Sequence, residues 1–266
     1  MKKFWGFLLV IVLMTSCGEY QSLLKSNDYN LVYKKAIEYY NKGDYQRAMN
    51  LLDGVRSVFV GQAKAQNIAY YRAFCSYNMK DYQIASDLFK QFIQTYPESS
   101  FAEECLYMMG FCDYKASPKP RLDQQVTEKA IREFQLYLSR YPYSMRKDKV
   151  NTYMDEMRDK LSYKAYLSAK NYYLREHYKA AVISLQNCLK DYPGSKYREE
   201  IMYMLFVSKY QMAVNSVEDK KVERYNNARE EYYYFADEYP NSKYANELKK
   251  KYDTINAFLD NYKFDE

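Results

Sequence analysis

Histidine occurs once in the sequence, as His177, which excludes most imidazole-based catalysis and most histidine-ligated metal sites. Glycine is scarce, at seven residues, and no Gly-rich phosphate loop, nucleophile elbow or metal-type CxxC pattern is present. Of the five cysteines, Cys105 and Cys112 stand seven positions apart on an expected helix, about 10 Å at 1.5 Å per residue, beyond disulfide reach. Cys75, Cys105, Cys112 and Cys188 read as small buried hydrophobes. A bridge between Cys75 and Cys112, which hold equivalent places in successive repeats, is the alternative. Strong charge of one sign is missing as well. Forty basic and 34 acidic residues leave +6, dispersed and without a recognised motif, which argues against nucleic acid. Carboxylates such as Glu103-Glu104 and Glu230-Glu231 read as solvent-face residues. No catalytic or metal-binding residue and no cofactor is expected.

Proline is also rare, and four of the six stand at one repeated place. The four are Tyr96-Pro97-Glu98-Ser99, Tyr141-Pro142-Tyr143-Ser144, Tyr192-Pro193-Gly194-Ser195 and Tyr239-Pro240-Asn241-Ser242. Eleven residues before each tyrosine lies an alanine (Ala85, Ala130, Ala181, Ala228), and a fainter first copy runs from Ala48 to Phe59. Apolar residues four and seven positions after each alanine complete one helical stripe, as with Leu52 and Val55 or Phe134 and Tyr137. The alanine marks a close helix crossing. Proline stops the helix, and the serine beyond it can cap the next. The alanines step by 37, 45, 51 and 47 residues.

Ala36, Tyr39, Gly43, Asp44, Tyr45, Ala48 and Leu52 resemble a tetratricopeptide (TPR) repeat, and Ala169, Tyr172, Tyr178, Ala181, Leu185 and Pro193 repeat the order. The expectation is an all-α, TPR-type helix-turn-helix solenoid of about five units, closed by a C-terminal capping helix from 243 to about 261. Insertions are expected at 115–125 and 214–221, and 145–173, free of Gly and Pro, reads as one long helix or two nearly continuous ones. His177 falls at a turn position. The 34 tyrosines suit amphipathic packing between helices.

Residues 1–16 read as a signal peptide: Lys2 and Lys3 precede an apolar run of eleven, 4–14, too short to span a bilayer. Met14-Thr15-Ser16-Cys17 resembles a bacterial lipobox, which implies lipid attachment at Cys17. Residues 17–28 would then form a lipid-anchored tether. An ordinary secretory leader is the alternative. Gly18, Glu19, Tyr20 and Gln21 lack the known sorting signals of inner-membrane or surface lipoproteins, which leaves the periplasmic face of the outer membrane.

The leader, the unit count, the turns and the long helix together resemble the BamD family of lipoproteins from the outer-membrane β-barrel assembly machinery. That resemblance implies a scaffold with two kinds of partner. Residues 29–114, the N-terminal TPR units, would receive unfolded outer-membrane protein precursors; residues 115–266 would dock a BamA-type barrel-forming subunit. The first two units share a register of 37 residues: Asn30, Tyr33, Ile37, Tyr40 and Asn41 recur as Asn67, Tyr70, Phe74, Tyr77 and Asn78. By analogy with TPR arrays these line the peptide groove, Tyr33 and Tyr70 acting as anchors; Asn41 and Asn78 either face it or close their helices. Two other readings share the features: a different periplasmic TPR adaptor lipoprotein, and a SusD-type glycan-binding lipoprotein, whose family is about twice this length.

Overall fold

A computed structural model describes residues 18–262, and every regular element among them is a helix. Residues 18–24 are helical (α1). Eleven helices follow: α2 (Tyr29–Asn41), α3 (Tyr45–Val55), α4 (Ala63–Asn78), α5 (Tyr82–Thr95), α6 (Ala102–Ala116), α7 (Gln125–Arg140), α8 (Lys147–Leu174), α9 (Tyr178–Asp191), α10 (Arg198–Val214), α11 (Glu218–Glu238) and α12 (Ala245–Tyr262). They pair as α2/α3, α4/α5, α6/α7, α8/α9 and α10/α11, with α12 last, in agreement with TPR-type units. The chain forms two compact lobes that meet in sequence at Met157 and Arg158, inside α8. The functional division expected at 114/115 lies in the last turn of α6.

Two kinds of turn set the pairs. Within a pair, α2, α4 and α8 each end in the same Schellman motif. Asp44 N–H donates to Tyr39 C=O, Asp81 N–H to Ser76 C=O and His177 N–H to Tyr172 C=O, at 2.9–3.0 Å. The motif needs one left-handed residue. Gly43 supplies it at φ 81°, but Lys80 (φ 67°) and Glu176 (φ 59°) occupy the same place despite their Cβ. Asn41 and Asn78 are the last helical residues, two positions short of that role. Asp44 then caps α3, accepting from Arg47 N–H at 3.2 Å. His177 is the exposed turn residue before α9.

Between pairs the Tyr-Pro-x-Ser segment makes a compact reversal. Ser99, Ser144, Ser195 and Ser242 donate their N–H groups to the C=O of the tyrosine three residues back. Each Oγ accepts the N–H two residues on, at 3.0–3.3 Å. The serine therefore braces the approach to the helix and is not its N-cap residue.

Packing explains the alanines. Ala48, Ala85, Ala130, Ala181 and Ala228 are all fully buried, as are Ala36 and Ala73 on the first helices. In the first lobe one core gathers Leu51, Leu52, Val55 and Ile68, and a second gathers Phe89, Phe92, Phe134, Tyr137, Met154 and Met157. In the second lobe Leu185, Ile201 and Met204 form one cluster and Phe206, Phe235, Ile255 and Leu259 another, sealed by α12.

Three expectations are corrected here, and the reading of the cysteines holds. The tether expected over 17–28 is largely helix α1, because Tyr20 and Leu23, three apart, form a stripe that covers the open side of the first pair. Tyr20 meets Tyr39 edge-on at 5.9 Å and accepts from Asn50 Nδ2 at 3.0 Å. The 214–221 connection shrinks to 215–217, since Glu218 and Asp219 begin α11, where acidic groups favour a helix N-terminus. Glu103, Glu104 and Glu231 are not solvent-face residues: Tyr137 and Ser144 donate to Glu103, Tyr70 to Glu104, and Lys209 pairs with the buried Glu231. Cys75, Cys105, Cys112 and Cys188 are free and buried. Burial pushes the Cys75 thiol up to about 12 and Cys188 up to about 11, so neither is a thiolate at neutral pH.

Candidate functional site

The ten groove candidates lie in the first lobe, on α2 and α4, and none of them is buried: each is half-buried or exposed. Spacing accounts for this. Positions i, i+4 and i+7 share a face, so Tyr33, Ile37 and Tyr40 line up along α2, and Tyr70, Phe74 and Tyr77 along α4. Beside each row run the fully buried Ala36 and Ala73, which let the helices approach. The same register continues a third time, unnoticed in the sequence, as Tyr107, Phe111 and Tyr114 on α6. Gly110 then stands where Ala36 and Ala73 stand in the earlier pairs. A Cβ on Gly110 would come within 2.9 Å of Phe134 Cδ1, so only glycine fits that crossing.

The rings join into a continuous aromatic face. Tyr40 lies 4.9 Å from Tyr71, Tyr70 lies 5.5 Å from Tyr71 and 4.5 Å from Phe74, and Tyr77 bridges Phe74 and Phe111 at 6.3 and 6.2 Å. Tyr153 on α8 extends it, 5.5 Å from Phe111 and stacked on Tyr114 at 4.4 Å. The period-37 repeat could have revealed Tyr107, Phe111 and Tyr114. Tyr71 and Tyr153 had no such signal, because they arrive through packing alone.

Tyr33 and Tyr70 also serve a second purpose. One first-helix tyrosine in each pair is covered by a residue at the start of the next pair. Lys64 Nζ sits 5.7 Å above Tyr33, Phe101 lies 4.6 Å from Tyr70, and Arg146 stands 4.8 Å over Tyr107. In the second lobe, Tyr166 stacks on Tyr197 at 4.3 Å and Tyr203 on Tyr244 at 4.0 Å. Hydroxyls reinforce the ladder: Tyr70 donates to Glu104 (2.8 Å), Tyr166 to Glu200 (2.9 Å) and Tyr203 to Glu247 (3.1 Å). Tyr33 and Tyr70 are therefore fastened between repeats and only partly available to a ligand.

Of the amides, Asn78 Nδ2 donates to Tyr40 Oη at 3.4 Å, and Asn30 Oδ1 accepts from Lys64 Nζ at 2.5 Å. Asn41 is exposed and Asn67 half-buried. Burial pushes the Tyr40 phenol up to about 12; burial, then the Glu156 carboxylate, does the same for Tyr114. Burial followed by Glu104 raises Tyr70 too. All three stay neutral donors at physiological pH. The face can stack apolar groups and exchange hydrogen bonds, which is binding chemistry. Among the described residues no group of His, Cys, Asp and Glu could hold a metal ion. The lipid-attachment candidate, Cys17, lies outside the described residues.

A family model described as YfiO, outer membrane lipoprotein, matches residues 25–200 and 164–265. No curated protein matches. Among solved structures, the TPR2AB domain of yeast Sti1 in its pHSP90 complex is similar at 14% identity, covering 86% of this chain and 98% of that one, with a TM-score of 0.39. A TPR repeats protein from Bacteroides fragilis NCTC 9343 is similar at 13% identity, covering 88% and 100%, with a TM-score of 0.42. Among the described residues no helix is long and apolar enough to cross a membrane.

Proposed function

The chain belongs to the YfiO family of outer membrane lipoproteins, and from that premise we propose that it is a non-enzymatic scaffold of the β-barrel assembly complex. In this reading Cys17 carries the lipid that holds the chain to the periplasmic face of the outer membrane. Diacyl and amide-linked chains together exceed the two signals that stable anchoring needs. The N-terminal pairs receive unfolded outer-membrane protein precursors, and the C-terminal pairs dock a BamA-type barrel-forming subunit.

One observation carries the precursor role: a half-exposed aromatic face bordered by side-chain amides runs along α2 and α4 and continues through Phe111 and Tyr114 on α6, where Tyr107 is buried. An unfolded barrel strand offers unpaired backbone groups and alternating aromatic side chains. Amides can donate to its carbonyls and accept from its N–H groups without dictating sequence. Asn30, Asn41, Asn67 and Asn78 would supply those bonds. Ile37, Tyr40, Phe74 and Tyr77, with the outer parts of Tyr33 and Tyr70, would take the aromatic side chains. Co-purification of the tagged full chain from detergent-solubilised membranes tests the assignment. The expected result is a large barrel-forming outer-membrane subunit recovered in comparable amount. Its absence, with peptidoglycan enzymes or glycan uptake proteins recovered instead, would overturn the proposal.

A further inference from the structure

Helix α1 is short, and its contacts fix where it begins. Tyr20 and Leu23 are buried against the first pair. Glu19 pairs with Lys35 at 3.0 Å, Tyr20 meets Tyr39 at 5.9 Å, and the Arg47 guanidinium lies 5.2 Å over the Tyr20 ring. Those partners belong to the last two turns of α2 and the first turn of α3, so the N-terminal end of α1 sits beside the α2–α3 turn. No slack separates Gly18 from the fold. The bond from Gly18 to Cys17 adds a reach of about 3.8 Å at most. A lipid on Cys17 would therefore hold this edge of the first lobe close to the headgroups.

Successive helices run in opposite directions, so the turns inside the pairs, α2–α3, α4–α5 and α6–α7, all lie along that edge. Lys80, Ile84 and Ala116 line one shallow hollow, which joins the second of these turns to the third. Lys42, Lys80, Lys119 and Arg121 are exposed along it. Asp44, Asp81 and Asp123 stand among them, and two are engaged: Asp44 accepts from the Arg47 N–H at 3.2 Å and Asp123 from the Gln125 N–H at 2.9 Å. Glu19 and Glu38 both pair with Lys35. Between the bases two apolar side chains project, Ile84 at 56% exposure and Leu122 at 58%. An anionic lipid surface attracts this combination: basic groups meet the phosphates, and apolar tips enter the boundary between headgroups and acyl chains.

We propose that this edge of the first lobe rests on the anionic surface of the membrane that holds the lipid, with Ile84 and Leu122 at the headgroup boundary. The inference rests on the reading of Cys17 as the lipid-attachment site. Lipid is the occupant because the anchor brings it to this edge without a search, and the exposed bases match its charge. The consequence is an orientation. Helices α2, α4 and α6 end at this edge, so their aromatic rows lead away from the membrane surface and the peptide face opens beside the bilayer.

The test uses the lipidated full chain in vesicles of roughly three parts phosphatidylethanolamine to one of phosphatidylglycerol. Ile84→Cys, Leu122→Cys and Glu98→Cys, all at exposed positions, each carry an environment-sensitive nitrobenzoxadiazole probe. The native Cys75, Cys105, Cys112 and Cys188 are buried and should not take the label. Glu98 lies in the turn at the other end of α5, whose 14 residues span about 21 Å. Probes replacing Ile84 and Leu122 should shift to the blue and lose most of their emission to lipids that carry a quencher on the acyl chain. The probe replacing Glu98 should do neither. Lys42→Glu/Lys80→Glu/Arg121→Glu should abolish the shift while the chain still floats with the vesicles; glutamate suits the place of Lys80, since Glu176 holds the same left-handed conformation. Vesicles of phosphatidylcholine alone should give no shift either. Probes at Ile84 and Leu122 that stay in water while the chain floats, an equal shift at Glu98, or an equal shift in the triple variant or on phosphatidylcholine would each overturn the proposal and leave the anchor standing. A wild-type chain that fails to float would remove the anchor, and this inference with it.

Discussion

Lys80 and Glu176 show a fold asking for a residue type that the sequence does not supply. Both hold a left-handed conformation that costs a Cβ-bearing residue roughly 1–2 kcal/mol, where the equivalent Gly43 sits without strain. Lys80→Gly and Glu176→Gly should each raise stability by about 0.5–1 kcal/mol, once the extra flexibility of glycine in the unfolded chain is deducted. Urea unfolding midpoints of the full chain check this, and Gly43→Ala should shift the midpoint the other way. Glu133 makes a second residue-scale prediction. Burial first, then the hydrogen bond and charge of Asp113, push its carboxyl up to about 8 against the opposing effect of Lys129. A carboxyl whose folded pKa is raised binds its proton more tightly in the folded state. Its contribution is complete below the ordinary carboxylate value and is lost as pH rises through about 8. Glu133→Gln should therefore melt progressively higher than the wild type as pH goes from 6 to 9, by about 1–3 kcal/mol at the upper end. A constant difference across that range would remove Glu133 from the account.

Helices and their turns were the most legible elements, because each is written in local periodicity. The alanine, the stripe at i+4 and i+7 and the Tyr-Pro-x-Ser reversal are short-range patterns; the first two appear in α3, α5, α7, α9 and α11, and the reversal follows the last four of these. The 145–173 stretch, read as one helix or two, is the single helix Lys147–Leu174. What local pattern cannot carry is which element covers which. The amphipathic stripe of α1 was hidden in a polar stretch of eleven residues, and the tyrosine ladder joins residues 31 to 41 positions apart. Glu103 and Glu231 misled for the same reason, since acceptors of inter-helix hydrogen bonds look like surface carboxylates in sequence. The ladder makes two turn tyrosines unequal. Tyr197, stacked on Tyr166 at 4.3 Å, should cost about 1–2 kcal/mol when changed to alanine. Tyr143, 98% exposed in the equivalent turn one repeat type earlier, should cost less than about 0.5 kcal/mol. Comparable midpoint shifts for Tyr197→Ala and Tyr143→Ala would deny the ladder an energetic role.

At the scale of the whole molecule, the sequence was enough to assign helix pairs and a family, because each depends on the order of motifs. The candidate site was half legible. All ten residues proposed for the groove are accessible to some degree, but the third row on α6 and Tyr153 on α8 emerge only when the pairs are packed together. The proposed anchoring has its own test: Cys17→Ala should abolish labelling by a palmitate analogue, and label retained by that variant would contradict attachment at Cys17. The central claim is that the aromatic face of the first lobe holds an unfolded barrel strand. Its most direct test is fluorescence anisotropy of the full chain in detergent with a peptide of alternating aromatic residues. The wild type is compared with Tyr77→Ala/Tyr153→Ala, whose helical circular dichroism must be unchanged. The account predicts at least about 10-fold weaker binding by the double variant, within the range for aromatic contact positions. Undiminished affinity in the folded double variant would contradict it.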